Sequence, residues 1–265
     1  MTTEQFAPTL EAGADRKSKG PPESCRPAAR IRRRRARADA APGWATRTIK
    51  RSVDVAVAAT ALVLAAPLVA ILAVMILLDS PGPVFYRVER VGFRGRPLRM
   101  LKFRKMAVGA RGAALTTDGD ARLTRVGSLL ARTRLDELPQ LWHVLRGDMS
   151  LVGPRPEHFG FVARHPDAYR RILSVRPGLT GLSQLAFASE RTVLDANDPL
   201  GHYVMGILPQ KVVLDCLYAA RVGLVQDLRI LAATTCTLLL RQPIAVDRRS
   251  GRLTLRRRPA PAGRG

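Results

Sequence analysis

VAVAATALVLAAPLVAILAVMILL, residues 55–78, is the stretch on which the fold turns, an almost unbroken apolar run without a single charge. A bilayer crossing needs roughly 20 such residues. Pro67 sits near the middle of the run, where a proline removes one helical hydrogen bond and costs about 3 kcal/mol in an ordinary helix. Taken separately, the arms 55–66 and 68–78 reach only about 16–18 Å at 1.5 Å per residue. Neither spans an apolar core about 30 Å thick.

The flanking charges bear on orientation. Arg47, Lys50 and Arg51 precede the run, and Arg87, Arg90, Arg94, Arg96, Arg99, Lys102 and Arg104 follow it. Short basic flanks favour the cytoplasmic side of a membrane. A straight crossing satisfies one flank only, whereas a helix broken at Pro67 that dips in and returns satisfies both. The charges therefore favour a re-entrant helix over 46–80, with a tilted span kinked at the proline as the alternative.

Upstream, residues 1–45 mix Pro, Gly, Ala and Ser with a run of arginines at 32–35. Such a composition buries too little apolar surface to order itself, which predicts a disordered basic arm lying on anionic lipid headgroups. The apolar stretch begins too late for a signal peptide and no small-residue cleavage site follows it. Downstream, 79–83 (DSPGP) is a turn-rich stop. Residues 84–91 and 98–103 alternate as two short strands about a turn at 92–97. A loop is expected at 107–123 and helices over 126–133, 138–145, 157–173, 209–222 and 226–241. The last is apolar but carries Thr234, Thr235 and Thr237, and suits an amphipathic helix on the bilayer surface. Residues 244–265 return to Arg and Pro and are expected to be a disordered basic tail. The chain thus divides into an arm, a membrane helix, a domain over 81–243 and a tail. The domain reads as mainly α with a small β-hairpin, an α+β fold.

Composition narrows the function. The net charge of +23 over 265 residues points to anionic partners, but the first 50 residues carry +7 of it and the last 25 another +7. Cys25, Cys216 and Cys236, and the four histidines 143, 158, 165 and 202, show no zinc spacing and no disulfide framework. No GxGxxG, P-loop or GxSxG occurs. Aromatic residues make up 5% of the chain, too few for a base-stacking nucleic-acid module. Nucleic acid bound by the arginine-rich tails is the rival reading, and it would show steep salt dependence.

Three blocks have the residue types that phosphate chemistry needs. In Thr133-Arg134-Leu135-Asp136-Glu137-Leu138-Pro139-Gln140, adjacent carboxylates stand beside arginines. One acid can attack phosphorus or hold a divalent cation while guanidinium groups neutralise the phosphate oxygens. Thr133 and Asp136 also have the spacing of a helix capping box, and spacing alone favours that humbler role. Lys102-Phe103-Arg104 is either a diphosphate clamp or a solvated strand edge. Gly153-Pro154-Arg155-Pro156 holds one arginine between two fixed φ angles, for recognition or merely as a turn. Arg176–Gly181 (RPGLTG) is a further turn whose amides could face an anion.

Taken together, KRSVDVAVAATALVLAAPL, DSPGPVFYRVERVG, the KFR element, TRVGSLLARTRLDELPQLWHVLRGDMSLVGPRPE and RPGLTGL resemble the bacterial sugar transferase family. These are monotopic polyprenyl-phosphate hexose-1-phosphate transferases, and the likeness runs in order over about 47–240. The resemblance implies that a nucleotide-diphosphate sugar and a polyprenyl phosphate yield a polyprenyl-diphosphate sugar and a nucleoside monophosphate, starting exopolysaccharide, capsule or glycoconjugate synthesis. It assigns Asp136 as nucleophile and ligand of Mg²⁺ (or Mn²⁺), and Glu137 as the residue that positions or activates the incoming phosphate. Lys102, Arg104 and Arg155 become phosphate-binding residues, and Pro67 the helix-breaking proline. It implies the bacterial cytoplasmic (inner) membrane, with the catalytic domain on the cytoplasmic face, and leaves an oligomer open. Two departures stand out. Ala66 replaces the family's usual serine before the proline, and Ala131 stands where a phosphate-binding arginine is usual, so Arg132 or Arg134 would substitute.

Overall fold

The computed structural model describes residues 44–110, 119–188, 194–195, 198–239, 242 and 244–255. Most of the arm at 1–45 and the end of the tail lie outside these. Among the described residues the fold is mainly helical with three two-stranded sheets, in keeping with the α+β expectation but with more strand than the one hairpin expected.

Helix α1 is Trp44–Asp79, 36 residues with Pro67 inside it. The expected break at Pro67 is corrected: helix continues through the proline. Leu and Ala on both sides are strong helix formers, and their propensity offsets the single lost hydrogen bond. At 1.5 Å per residue, 36 residues give about 54 Å of helix measured along its axis, more than an apolar core is thick.

Both ends of α1 are rooted in the same domain. Near its start, Arg51 donates to the carbonyls of Val144 and Leu145, at 2.5 and 2.7 Å. Lys50 pairs with Asp227 at 2.5 Å. Asp54 accepts from the Ser150 hydroxyl at 2.7 Å and the Leu151 amide at 3.3 Å. Near its end, Leu72 and Ile76 are buried with Phe103 and Leu130, and Asp79 accepts from the Val126 amide at 2.9 Å. Between these anchors Val63 and Leu64 are 73% and 74% exposed. An apolar surface of that kind marks contact with something other than water.

Strands β1 (Phe85–Val91) and β2 (Pro97–Phe103) pair antiparallel from Phe85 opposite Phe103 to Val91 opposite Pro97. They fall within a residue or so of the expected hairpin. The turn between them is a short helical one in which Arg94 is left-handed, φ 56°. Helix α2 (Arg125–Thr133) leads to a 3-10 turn at Leu135–Gln140, and α3 (Leu141–Arg146) follows directly.

Strand β3 (Ser150–Val152) pairs in parallel with β4 (Gly178–Thr180), a pairing that the sequence pattern does not announce. Three residues are too few for alternation to register. The strands approach so closely that a Cβ on Gly178 would lie 2.0 Å from the Gly153 nitrogen, and one on Gly153 would lie 2.4 Å from the Arg176 carbonyl oxygen. Only glycine fits at either position.

The region expected as a helix at 157–173 is two short helices, α4 (Phe159–Val162) and α5 (Pro166–Ile172). Then come α6 (Leu182–Ala186), α7 (Pro199–His202) and α8 (Leu208–Ala219), the last two joined by a π turn at Tyr203–Ile207. Helix α9 is Leu224–Leu239. It buries Asp227, Ile230 and Ala233 while Val225 and Leu228 are exposed, so one face packs on the core and an apolar face stays open.

The main core gathers Met149, Val144, Leu151, Leu182, Leu214 and Ile230. A second cluster joins α5 to α8 through Tyr169, Ile172, Leu208 and Val212. The expected tail is corrected as far as 255: β5 (Ile244–Val246) and β6 (Leu253–Leu255) form an antiparallel hairpin. Ile244, Val246 and Leu253 lie against the main core, and that apolar burial orders a segment whose composition alone reads as a tail.

Candidate active site

Helix α2 ends at Thr133, whose hydroxyl donates back to the Leu129 carbonyl at 2.8 Å. Arg134 follows in the left-handed region, φ 59°, and turns the chain into the 3-10 segment without a side-chain cap. The capping-box alternative is therefore not realised, since Thr133 belongs to the preceding helix. The carboxyl of Asp136 is left for another use. Asp136 is buried at 5% exposure, and among the described residues its one ionic partner is Lys102, at 3.9 Å.

Two cations meet on its neighbour. Lys102 Nζ, from β2, stands 2.8 Å from Glu137 Oε1, and Arg155 Nη2 reaches the same oxygen at 2.9 Å. Burial by itself would raise the Glu137 pKa, but the charges and hydrogen bonds of Arg155 and Lys102 overcome it and hold the carboxyl well below the usual range. Glu137 is therefore an anion at neutral pH.

Arg155 is aimed by a rigid turn. The Gly153 amide donates to the Thr180 carbonyl and the Gly178 amide to the Pro154 carbonyl, both at 2.9 Å. Glu157 ties the far side of the turn. Its carbonyl accepts from the Val91 amide at 2.9 Å, and its carboxylate accepts from the Tyr203 hydroxyl at 2.9 Å. Lys211 lies 3.7 Å from the same carboxylate and donates to the Tyr203 hydroxyl at 3.2 Å. Next to this group Asp215 is fully buried, and burial pushes its pKa up to about 8. Its Oδ1 has no hydrogen-bond partner.

Glu157, Tyr203, Lys211 and Asp215 are not picked out as site residues by motif reading. One signal was available: Lys211 and Asp215, four apart, are the only charges in the otherwise apolar α8 sequence LPQKVVLDCLYA.

Of the residues that the sequence brings forward, Asp136, Glu137, Lys102 and Arg155 come together. Arg104 does not join them. Its guanidinium donates to the Ser80 hydroxyl and the Pro81 carbonyl, both at 3.1 Å, and to the Ser80 carbonyl, closing the turn after α1. Arg132 is exposed in the last turn of α2, and Arg134 donates to the Ala188 carbonyl. His143 acts as a brace: Nε2 accepts the Leu101 amide at 3.1 Å, which leaves Nδ1 to donate to Asp148 at 3.3 Å.

A buried Asp136 and a half-buried Glu137 thus meet a lysine and an arginine in a protein whose long first helix leaves its apolar middle exposed. Residues 45–241 match the family model described as bacterial sugar transferase; the chain belongs to that family. It is 39% identical over 195 residues to the UDP-glucose:undecaprenyl-phosphate glucose-1-phosphate transferase of Caulobacter vibrioides, covering 72% of this chain and 69% of that one. With an exopolysaccharide production protein of Rhizobium leguminosarum it shares 34% identity, over 73% of this chain and 96% of the relative. It is 46% identical to the UDP-N-acetylgalactosamine-undecaprenyl-phosphate N-acetylgalactosaminephosphotransferase of Aeromonas hydrophila, over 52% of this chain. That match spans only 34% of the larger Aeromonas protein.

Proposed function

We propose that this protein transfers a hexose-1-phosphate from a nucleotide-diphosphate sugar to a polyprenyl phosphate such as undecaprenyl phosphate, through an aspartyl-phosphosugar intermediate. The observation that carries the proposal is the position of Asp136: buried, only loosely paired with Lys102, and next to a Glu137 whose charge two cations already satisfy. An Asp136 oxygen attacks the sugar-bearing phosphorus, the bond to the bridging oxygen breaks, and nucleoside monophosphate leaves. The polyprenyl phosphate oxygen then attacks the same phosphorus and frees Asp136. Lys102 and Arg155 balance the oxygen charge that develops in both steps, and Glu137, itself an anion, positions the incoming lipid phosphate by holding those two cations toward it. Splitting one displacement between bulky anions into two assisted ones is the gain from a covalent route.

The residues present fit a divalent cation such as Mg²⁺ or Mn²⁺. Mg²⁺ takes one or two carboxylates plus substrate phosphates rather than a cage of protein ligands. No group of three or more His, Cys, Asp or Glu able to hold a metal occurs among the described residues, and Asp136 is the carboxylate left to serve. When bound, the cation supplies charge neutralisation at the diphosphate.

The same reading places the enzyme on the bacterial cytoplasmic membrane, with the domain on the cytoplasmic face and α1, bent within the helix at Pro67, entering and leaving by that face. Attachment of both ends of α1 to one domain, with an apolar middle left uncovered, supports re-entry. The test is to incubate membranes holding the protein with a panel of nucleotide sugars and polyprenyl phosphate. Release of nucleoside monophosphate coupled to a lipid-linked sugar diphosphate is expected. Release from none of the panel would reject the reaction.

A further inference from the structure

The hairpin carries an aromatic ring and an arginine that the acid pair does not use. In the β1–β2 register Tyr86 lies opposite Lys102, and Arg90 lies opposite Leu98. Residues directly opposed in an antiparallel pair project from one face with Cβ atoms about 4.5–5.5 Å apart. Tyr86, Val88 and Arg90 therefore share the face from which Lys102 reaches Glu137 at 2.8 Å. Leu98 and Met100 seal this face onto the core, yet Tyr86 is 54% exposed. An open ring thus stands beside the lysine that reaches the acid pair.

Arg90 lies farther along the same strand. Its hydrogen bond goes to the neighbouring Glu89 carbonyl at 3.2 Å, and it has no carboxylate within ion-pair distance among the described residues. Burial lowers its pKa first of all, and Glu157, Arg155, Tyr203 and Tyr86 are the groups it feels next. Glu157 is already engaged by Tyr203 and Lys211. A ring opposite Lys102, with Arg90 four residues along the same strand face, is an aromatic platform with cations on its own hairpin face. That chemistry suits a flat base joined to phosphates, because stacking supplies affinity while cations track the charge.

We propose that Tyr86 is the stacking platform for the nucleobase of the donor, with Arg90 meeting the nucleoside-side phosphate. The inference rests on the transferase reading: a donor whose sugar-bearing phosphorus sits at Asp136 has its diphosphate within reach of Lys102, and Tyr86 stands opposite Lys102 across the hairpin. Because every base has a stacking face, Tyr86 gives affinity for nucleotides in general rather than a choice among bases.

Direct binding tests this without turnover. The full chain in lipid nanodiscs is titrated calorimetrically with UMP, AMP, GMP and inorganic pyrophosphate. Tyr86→Ala is expected to weaken the best-bound monophosphate by roughly tenfold, the scale of one base–aromatic stack, and to leave pyrophosphate unchanged. Tyr86→Phe is expected to bind as the unaltered chain does, and Arg90→Met to weaken the monophosphate. Equal monophosphate binding by Tyr86→Ala overturns the platform. So does a Tyr86→Ala chain that no longer incorporates into nanodiscs, which would make Tyr86 a bilayer contact, and so does an unaltered chain that binds no monophosphate. An unaltered chain that binds monophosphate but releases none from any nucleotude sugar leaves the platform standing and rejects the transferase reading.

Discussion

Lys102 Nζ lies 2.8 Å from Glu137 Oε1 and 3.9 Å from Asp136 Oδ2, so one ammonium addresses both acids but binds only Glu137 closely. The difference leaves the pair unequal. Glu137 is charge-satisfied and fixed by Lys102 and Arg155, whereas Asp136 keeps an oxygen available for chemistry.

That inequality makes Asp136→Asn the decisive substitution. It is isosteric and removes no close ion pair, so thermal unfolding should match that of the unaltered chain. Nucleoside monophosphate release should fall by about 10⁴-fold or more, as when a nucleophile is removed elsewhere. Radiolabel from a sugar-labelled donor should no longer stay with acid-quenched protein. Retained turnover would reject Asp136 as nucleophile.

Lys102→Met should change the response to acid. The Glu137 pKa is depressed in the folded protein, so its contribution to stability is present above the ordinary value near 4.5 and is lost as pH falls through the folded value. Without Lys102, burial is opposed by Arg155 alone and the folded value rises. Acid unfolding should then begin at higher pH, with a loss of about 2 kcal/mol for the missing charged hydrogen bond. Melting temperatures across an acid series measure both effects.

Asp215 predicts the opposite slope. Burial raises its folded pKa to about 8, so the folded state holds a proton that the unfolded chain releases near 4. Its contribution is fully present below the unfolded value and declines at about 1.4 kcal/mol per pH unit until the folded pKa is passed. Asp215→Asn should flatten the stability profile between about pH 5 and 7. An unchanged slope in denaturant titrations would assign it to other groups.

Gly153→Ala tests the turn that aims Arg155. The added methyl would lie 2.4 Å from the Arg176 carbonyl oxygen, backbone that cannot swing away. Separation of β3 from β4 should cost about 3 kcal/mol, and catalysis should fall further than stability explains as Arg155 moves off Glu137. Activity measured well below the melting temperature separates the two effects.

Much of this was legible in the residues. The apolar run 55–78 and the hairpin about 92–97 follow from pattern, whereas the acid pair with Lys102 and Arg155 is singled out by the family resemblance, spacing alone favouring a helix cap at 133–136. Arg104 misleads because sequence adjacency to Lys102 says nothing about direction; in the structure it turns to Ser80 and Pro81 instead. The capping-box spacing at 133 and 136 misleads because a left-handed Arg134 intervenes. The hairpin at 244–255 was hidden because its order comes from a core built by distant segments.

By itself the sequence determined the local facts: a helix long and apolar enough to enter a bilayer, the turn chemistry, and which side chains can bear charge on a phosphate. Only the tertiary structure decided which of those side chains meet. Lys102, Glu137 and Arg155 lie 35 and 18 residues apart along the chain, and Tyr203 and Lys211 stiffen the Arg155 turn from farther still. Ion pairing acts through space over a few ångströms, so the close packing of β2, the 3-10 segment and the Gly153–Gly178 crossing fixes the site.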